Sequence, residues 1–153
     1  MAKEPLEPLT ILVDTREQTP LTPWFSNAVA VEVVGLPTGD YSAKHCTELV
    51  TIERKSAADF VACCTFERER FLDQMQRLSK YQVKALVIEA NWRDFARGAY
   101  RSHANPKSIT GTLLKLITDF GIPVMLAESP QYAAEIVERI LGRVLKQSMG
   151  KAA

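Results

Sequence analysis

Few cysteines, no long apolar run, no low-complexity tract and almost no net charge mark this sequence, and each shortage closes off a class of explanation. Cys46, Cys63 and Cys64 are an odd set without Cys-x-x-Cys spacing, which argues against a disulfide framework and for reduced thiols. A zinc site from His45 and these cysteines would depend on two adjacent thiols, which chelate awkwardly, so small buried side chains are the simpler expectation. No stretch approaches the roughly 20 apolar residues that cross a bilayer. Met1-Ala2-Lys3-Glu4-Pro5 has no hydrophobic leader region, so an intracellular protein without a membrane partner is expected. A net charge of +1 argues against a general nucleic-acid coat protein but leaves room for an enzyme whose acidic site offsets basic residues elsewhere.

What is present suits one globular domain: 153 residues, 46% hydrophobic and 24% charged, are enough for a single substantial core. Residues 1–9 hold two prolines and three charges and are expected to be a flexible lead-in. The domain is then expected over 10–148, followed by a tail over 149–153. Apolar runs predict strands at Thr10 to Val13, Val29 to Val34, Asp40 to Ala43, Leu49 to Arg54, Lys84 to Glu89 and Ile122 to Leu126. Trp24 and Phe25, after a polar turn with two prolines, are expected to return to the core.

Helices are expected in pairs between the later strands. Ser56 and Asp59 have capping-box spacing ahead of Phe60, Val61 and Cys64. Phe71, Met75 and Leu78 recur at helical spacing within Phe66 to Tyr81. Asn105-Pro106 opens a helix through Ile109, Leu113, Leu116, Ile117 and Phe120. Ser129-Pro130 opens a last one, with an apolar stripe from Ala133 to Leu145 that suits either the sheet or a partner. The order β, β, β, β, α, α, β, α, α, β, α predicts the α/β class, a mixed central sheet flanked by helices.

The chemistry concentrates between Gly39 and Asp59. On the strand ending Ile52-Glu53-Arg54-Lys55, alternation puts Glu53 and Lys55 on one face and Arg54 on the other. Asp40 precedes Glu53 by about the length a strand needs to turn back along its neighbour. Two acids on adjacent strands beside a lysine suit metal-assisted phosphodiester cleavage: the carboxylates hold a hard divalent cation and the ammonium holds water or offsets phosphate charge. The plain alternative is a solvated strand end. A second acidic cluster, Asp14-Thr15-Arg16-Glu17, follows the first strand. Between Asn91 and Lys107, Arg93, Arg97, Arg101 and Lys107 alternate with Trp92, Phe95 and Tyr100, which suits either DNA contact or a loop with inward aromatics.

Val13-Asp14-Thr15-Arg16-Glu17, Gly39-Asp40-Tyr41 and Glu53-Arg54-Lys55-Ser56-x-x-Asp59, in that order, resemble the signature of the XPF-type nuclease domain. Arg70-Phe71-Leu72-Asp73-Gln74 is similar to that family's Arg-Leu-x-x-Gln segment. The resemblance implies a restriction-endonuclease-like core and a metal-dependent endonuclease acting on flaps, forks or other branched DNA in repair or recombination. It implies that Asp40 and Glu53 hold Mg2+ or Mn2+ with Asp14, that Glu17 completes or adjusts this set, and that Lys55 orients water. Arg16 and Arg54 would hold acidic neighbours or a phosphate, Asp59 and Gln74 would support the site, and Arg70 would contact DNA.

A Holliday-junction resolvase of the same fold, a catalytically silent branched-DNA-binding subunit and a protein-interaction module are the rival expectations. Eukaryotic and archaeal relatives carry a tandem helix-hairpin-helix extension that no residues after Ala153 would form. The expectation is therefore a standalone bacterial or phage form that dimerises through its last helices or uses a separate DNA-binding partner.

Overall fold

The computed structural model describes residues 8–151; residues 1–7 and 152–153, with most of the expected lead-in and the end of the expected tail, lie outside the described residues. Six strands form one sheet in the order β2-β1-β3-β4-β5-β6. They are β1 (Thr10–Asp14), β2 (Ala30–Val34), β3 (Tyr41–Ala43), β4 (Val50–Ser56), β5 (Val83–Glu89) and β6 (Val124–Leu126). The β1–β2, β4–β5 and β5–β6 pairs are parallel, while β3 runs antiparallel to both β1 and β4. The mixed sheet flanked by helices agrees with the expected class and order of elements.

Alternation divides the sheet into two faces with separate cores. Ile11, Val13, Tyr41, Ile52, Ala85 and Val87 pack on one side, under the helix α5 (Pro130–Lys151), through its Ala133, Val137, Leu141 and Val144. The apolar stripe of that helix therefore covers the sheet of its own chain. Leu86 and Ile88 face the other side, against α1 (Ala57–Cys64), α2 (Arg68–Ser79), α3 (Trp92–Arg97) and α4 (Pro106–Thr118). Covered on both faces, β5 is apolar without alternation, with Ala85 to Ile88 all buried.

Local chemistry fixes the helix ends. The Ser56 hydroxyl accepts from the Asp59 N–H at the start of α1, and Asn91 and Asn105 accept from the N–H groups of Asp94 and Lys107 at the starts of α3 and α4.

Several expectations need correction. Leu9 is buried in the core, so the domain begins before residue 10, and α5 continues past residue 148. Trp24 is exposed while Leu21 is fully buried in its place; Phe25 is partly buried, edge-on to Tyr41 at 6.0 Å. Ile117 is 52% exposed, because α4 buries Ile109, Thr112, Leu113 and Leu116. The cysteines, in contrast, meet expectation: all three are buried, Cys46 on the α5 side of the sheet and Cys63 and Cys64 on the other. Among the described residues no helix is long and apolar enough to cross a membrane.

Candidate active site

The β3–β4 hairpin builds the centre. Tyr41 pairs with Ile52, and the Asp40 N–H donates to the Ile52 carbonyl at 2.9 Å, which sets Asp40 across from Glu53. Residues opposed in a ladder share a face, here the face covered by α1 and α2. The turn into the hairpin depends on Gly39. Its φ is +81°, and a Cβ there would collide with the Thr51 hydroxyl, which is held by donating to the Thr38 carbonyl at 2.7 Å.

Asp40, Glu53 and Lys55 line one cleft of about 330 Å³ with Arg16, Glu17 and Asp59. Lys55 Nζ lies 3.3 Å from Glu53 Oε1, and the Arg54 N–H donates to Asp40 Oδ2 at 2.9 Å. Burial, reinforced by repulsion from Glu53, pushes the Asp40 carboxyl up to about 7. Burial also raises Glu53, against the opposing pull of Lys55. Burial disfavours the charged form of Lys55, but its acidic neighbours, Glu53 foremost, together outweigh it and raise the ammonium above its ordinary value. Lys55 is thus a cation at neutral pH, suited to holding water or phosphate rather than to taking a proton.

Asp14 departs from expectation. Its Oδ1 accepts from the Leu36 N–H at 2.8 Å, and its Oδ2 accepts from the N–H and Nε of Arg16 at 3.1 and 2.7 Å. Burial works to raise its carboxyl, but these donors outweigh burial and hold it below the ordinary carboxylate value. Asp14 is buried and does not line the cleft; it fixes the turn that brings Arg16 and Glu17 there. Arg16 is linked to the site by the charges of Asp40 and Glu53.

Arg54 points to the opposite face, as alternation requires. Its guanidinium donates to Glu89 Oε1 at 2.8 and 3.1 Å, to the Thr19 carbonyl at 2.6 Å and to Glu17 Oε2 at 3.4 Å. This side chain ties the end of β5 and the loop after β1 to β4. The Tyr41 hydroxyl, on the same face, accepts from the Leu21 N–H at 2.8 Å and anchors the far end of that loop. Burial and the nearby Asp40 raise Glu17, with Tyr41 and Arg54 opposing them.

Arg70 and Gln74 of α2 line an adjoining cleft of about 140 Å³ together with Lys55, Cys63 and Glu67. The structure therefore brings both residues alongside the lysine. Cys63 was weighed only as a zinc ligand or a buried side chain, and Glu67 was not singled out by sequence reasoning; Glu67 stands one helical turn before Arg70, a spacing that could have found it. Arg93, Arg97, Arg101 and Lys107 are exposed and line neither cleft. Their segment begins as the helix α3, with Gly98 closing it in the left-handed conformation. Phe95 is buried and Tyr100 donates to the Ala104 carbonyl, which leaves Trp92 as the exposed aromatic of the three.

The donor set at the hairpin is hard: two carboxylates that burial keeps from ionising freely, Asp40 further opposed by the charge of Glu53, a condition a bound cation relieves. Among the described residues no three or more His, Cys, Asp or Glu side chains form a metal-holding cluster. A pair of carboxylates nonetheless fits magnesium, which keeps several waters and takes oxygens from substrate phosphates.

A family model described as the ERCC4 domain matches residues 13–140. The chain is 29% identical over 138 residues to a protein of Methanocaldococcus jannaschii provisionally described as an ATP-dependent RNA helicase, covering 90% of this chain and 16% of that one. Among solved structures, XPF from Aeropyrum pernix superposes with a TM-score of 0.70 at 25% identity, over 88% of this chain and 61% of that one. The same protein in complex with DNA also gives 0.70 at 25% identity, over 91% of this chain and 66% of that one. The chain thus spans less than two thirds of each of these relatives.

Proposed function

Because this chain belongs to the ERCC4 domain family, we propose that it is a magnesium- or manganese-dependent endonuclease that hydrolyses phosphodiester bonds in branched DNA. The observation that carries the reading is the placement of Asp40 opposite Glu53 with Lys55 beside them in one cleft. Asp40 and Glu53 would hold the cation, which supplies charge for the scissile phosphate and a nucleophilic water at neutral pH. Asp40 is kept in position by the Arg54 N–H, so one ligand depends on the backbone of the strand carrying the other.

Lys55 holds water or a phosphate oxygen from the α1 and α2 side and compensates negative charge developing at phosphorus. Glu17, held by Arg54, adjusts the cation's surroundings from the opposite wall of the cleft. Asp59 joins that lining at the first turn of α1, and Arg70 with Gln74 contacts the DNA backbone in the adjoining cleft. The DNA complex of the Aeropyrum pernix protein supports DNA as the partner.

Incubation of the purified protein with labelled flap, fork, four-way junction and plain duplex, in magnesium, manganese or EDTA, tests the reading. Metal-dependent cutting that falls about 100-fold or more in both Asp40→Ala and Lys55→Ala is the expected result. Preference for the four-way junction would indicate a resolvase. Binding of branched DNA without cutting in any metal would overturn the enzymatic reading in favour of a silent subunit.

A further inference from the structure

Phe66 is 84% exposed, far beyond the other large apolar side chains of the α1–α2 region. It stands in the link Thr65–Glu67 between α1 and α2, and that link is not loose. The Thr65 hydroxyl donates to the Val61 carbonyl at 2.9 Å, the N–H groups of Thr65 and Glu67 both donate to the Ala62 carbonyl at 3.1 Å, and the Phe71 N–H donates to the Glu67 carbonyl at 2.9 Å. A fixed turn therefore presents an aromatic ring to solvent.

The ring lines an open hollow of about 420 Å³ with Arg70 and Arg77, among Glu67, Glu69 and Asp73. Glu67 and Arg70 also line the cleft of Lys55 and Gln74, and Lys55 in turn lines the cleft of Asp40 and Glu53. The three hollows share walls in series from the carboxylate pair to Phe66. At the Phe66 end three carboxylates face two guanidiniums, a surface that does not attract backbone phosphate. An aromatic face there suits the neutral face of a nucleobase, which leaves its stack at least cost where the strand is unpaired.

We propose that Phe66 is a base-stacking platform: an unpaired base of the DNA strand leaving the Asp40–Glu53 cleft past Arg70 lies against its ring and directs cutting to sites beside single-stranded DNA. The inference rests on the reading of the chain as a DNA endonuclease and adds a residue that selects among its substrates.

Affinity for a hairpin duplex with a single-stranded arm, and for the same duplex without it, is measured in calcium for the wild type, Phe66→Ala, Phe66→Trp and Arg70→Ala. The arm carries 2-aminopurine, whose fluorescence drops on stacking. Phe66→Ala is expected to weaken binding of the armed DNA about five- to 150-fold, the range of one lost aromatic stack. Blunt-duplex affinity and the salt dependence of binding are expected to stay unchanged, and the quench to disappear but survive in Phe66→Trp. Arg70→Ala is expected to weaken both DNAs and to flatten their salt dependence. Equal loss on both DNAs in Phe66→Ala, or no loss, overturns the proposal, as does a wild type that binds neither. A wild type that binds armed DNA but never cuts in magnesium or manganese fails the endonuclease reading alone, leaving the Phe66 result readable. Unchanged thermal unfolding confirms that each variant is folded.

Discussion

At Asp40 and Glu53 the fold opposes the ionisation that a cation would require of them, so stability and metal binding are linked through protons. The Asp40 carboxyl moves from 3.8 to about 7. A raised carboxyl contributes stability that is present below its unfolded value and lost as pH rises through the folded one. Metal-free protein should therefore lose thermal stability between about pH 4 and pH 7, and magnesium should restore more of it at pH 8 than at pH 5. Asp40→Asn should flatten that loss and remove the magnesium effect. A magnesium-induced shift of equal size at both pH values would count against the pair as the binding site. Asp14 has the opposite sign: its carboxyl is depressed, so its contribution is lost only in stronger acid. Gly39→Ala, which meets both a positive φ and the Thr51 hydroxyl, should cost about 1–3 kcal/mol or more in denaturant unfolding, with partial recovery when Thr51→Ala is added. The Asp40, Glu53 and Lys55 group was legible because hairpin length and strand alternation are local rules. The place of Asp14 was not, because its Oδ1 is taken by the main-chain N–H of Leu36, a partner that tertiary structure alone supplies.

Among the elements, the starts of α1 and α4 could be read residue by residue, since Ser56 and Asn105 cap from their own side chains, whereas the cap of Asn91 on α3 was not read. Which apolar residues face inward is a property of the neighbours. On α4 the regular spacing included Ile117, yet the helix rests on Ile109, Thr112, Leu113 and Leu116 and leaves Ile117 out. The stripe of α5 fitted a sheet or a partner equally well, and only the assembled sheet decides for the first. Leu141→Ala, deep under that sheet, should accordingly cost about 2–5 kcal/mol, while Ile117→Ala should stay within about 0.5 kcal/mol. Paired unfolding curves check both; similar costs would mean that α4 has an unrecognised partner.

For the molecule as a whole, the succession of elements follows from the alternation of turn residues and apolar runs. The position of β2, outside β1 at the end of the sheet, does not, because it rests on parallel pairing between distant segments. Nearly balanced charge makes long-range attraction to DNA weak, so affinity depends on local cations. Arg16, Lys55 and Arg70 line the connected clefts, and three phosphate contacts give a slope of log affinity against log salt near −3. Titration of binding against salt measures it. A slope steeper by about three or four would bring Arg93, Arg97, Arg101 and Lys107 into the interface.

The outermost strand has a consequence of a different kind, for solubility. Among the described residues β2 pairs with β1 alone, so within them its other side offers unsatisfied main-chain groups to any second strand, beside a Val33 that is 66% exposed. In the run Ala30-Val31-Glu32-Val33-Val34, Glu32 is the sole charge, held 3.0 Å from Lys44. It acts as the gatekeeper of this edge. Glu32→Val should leave the hairpin chemistry intact and yet turn the edge into a continuous adhesive surface, visible as aggregation on concentration that the wild type does not show.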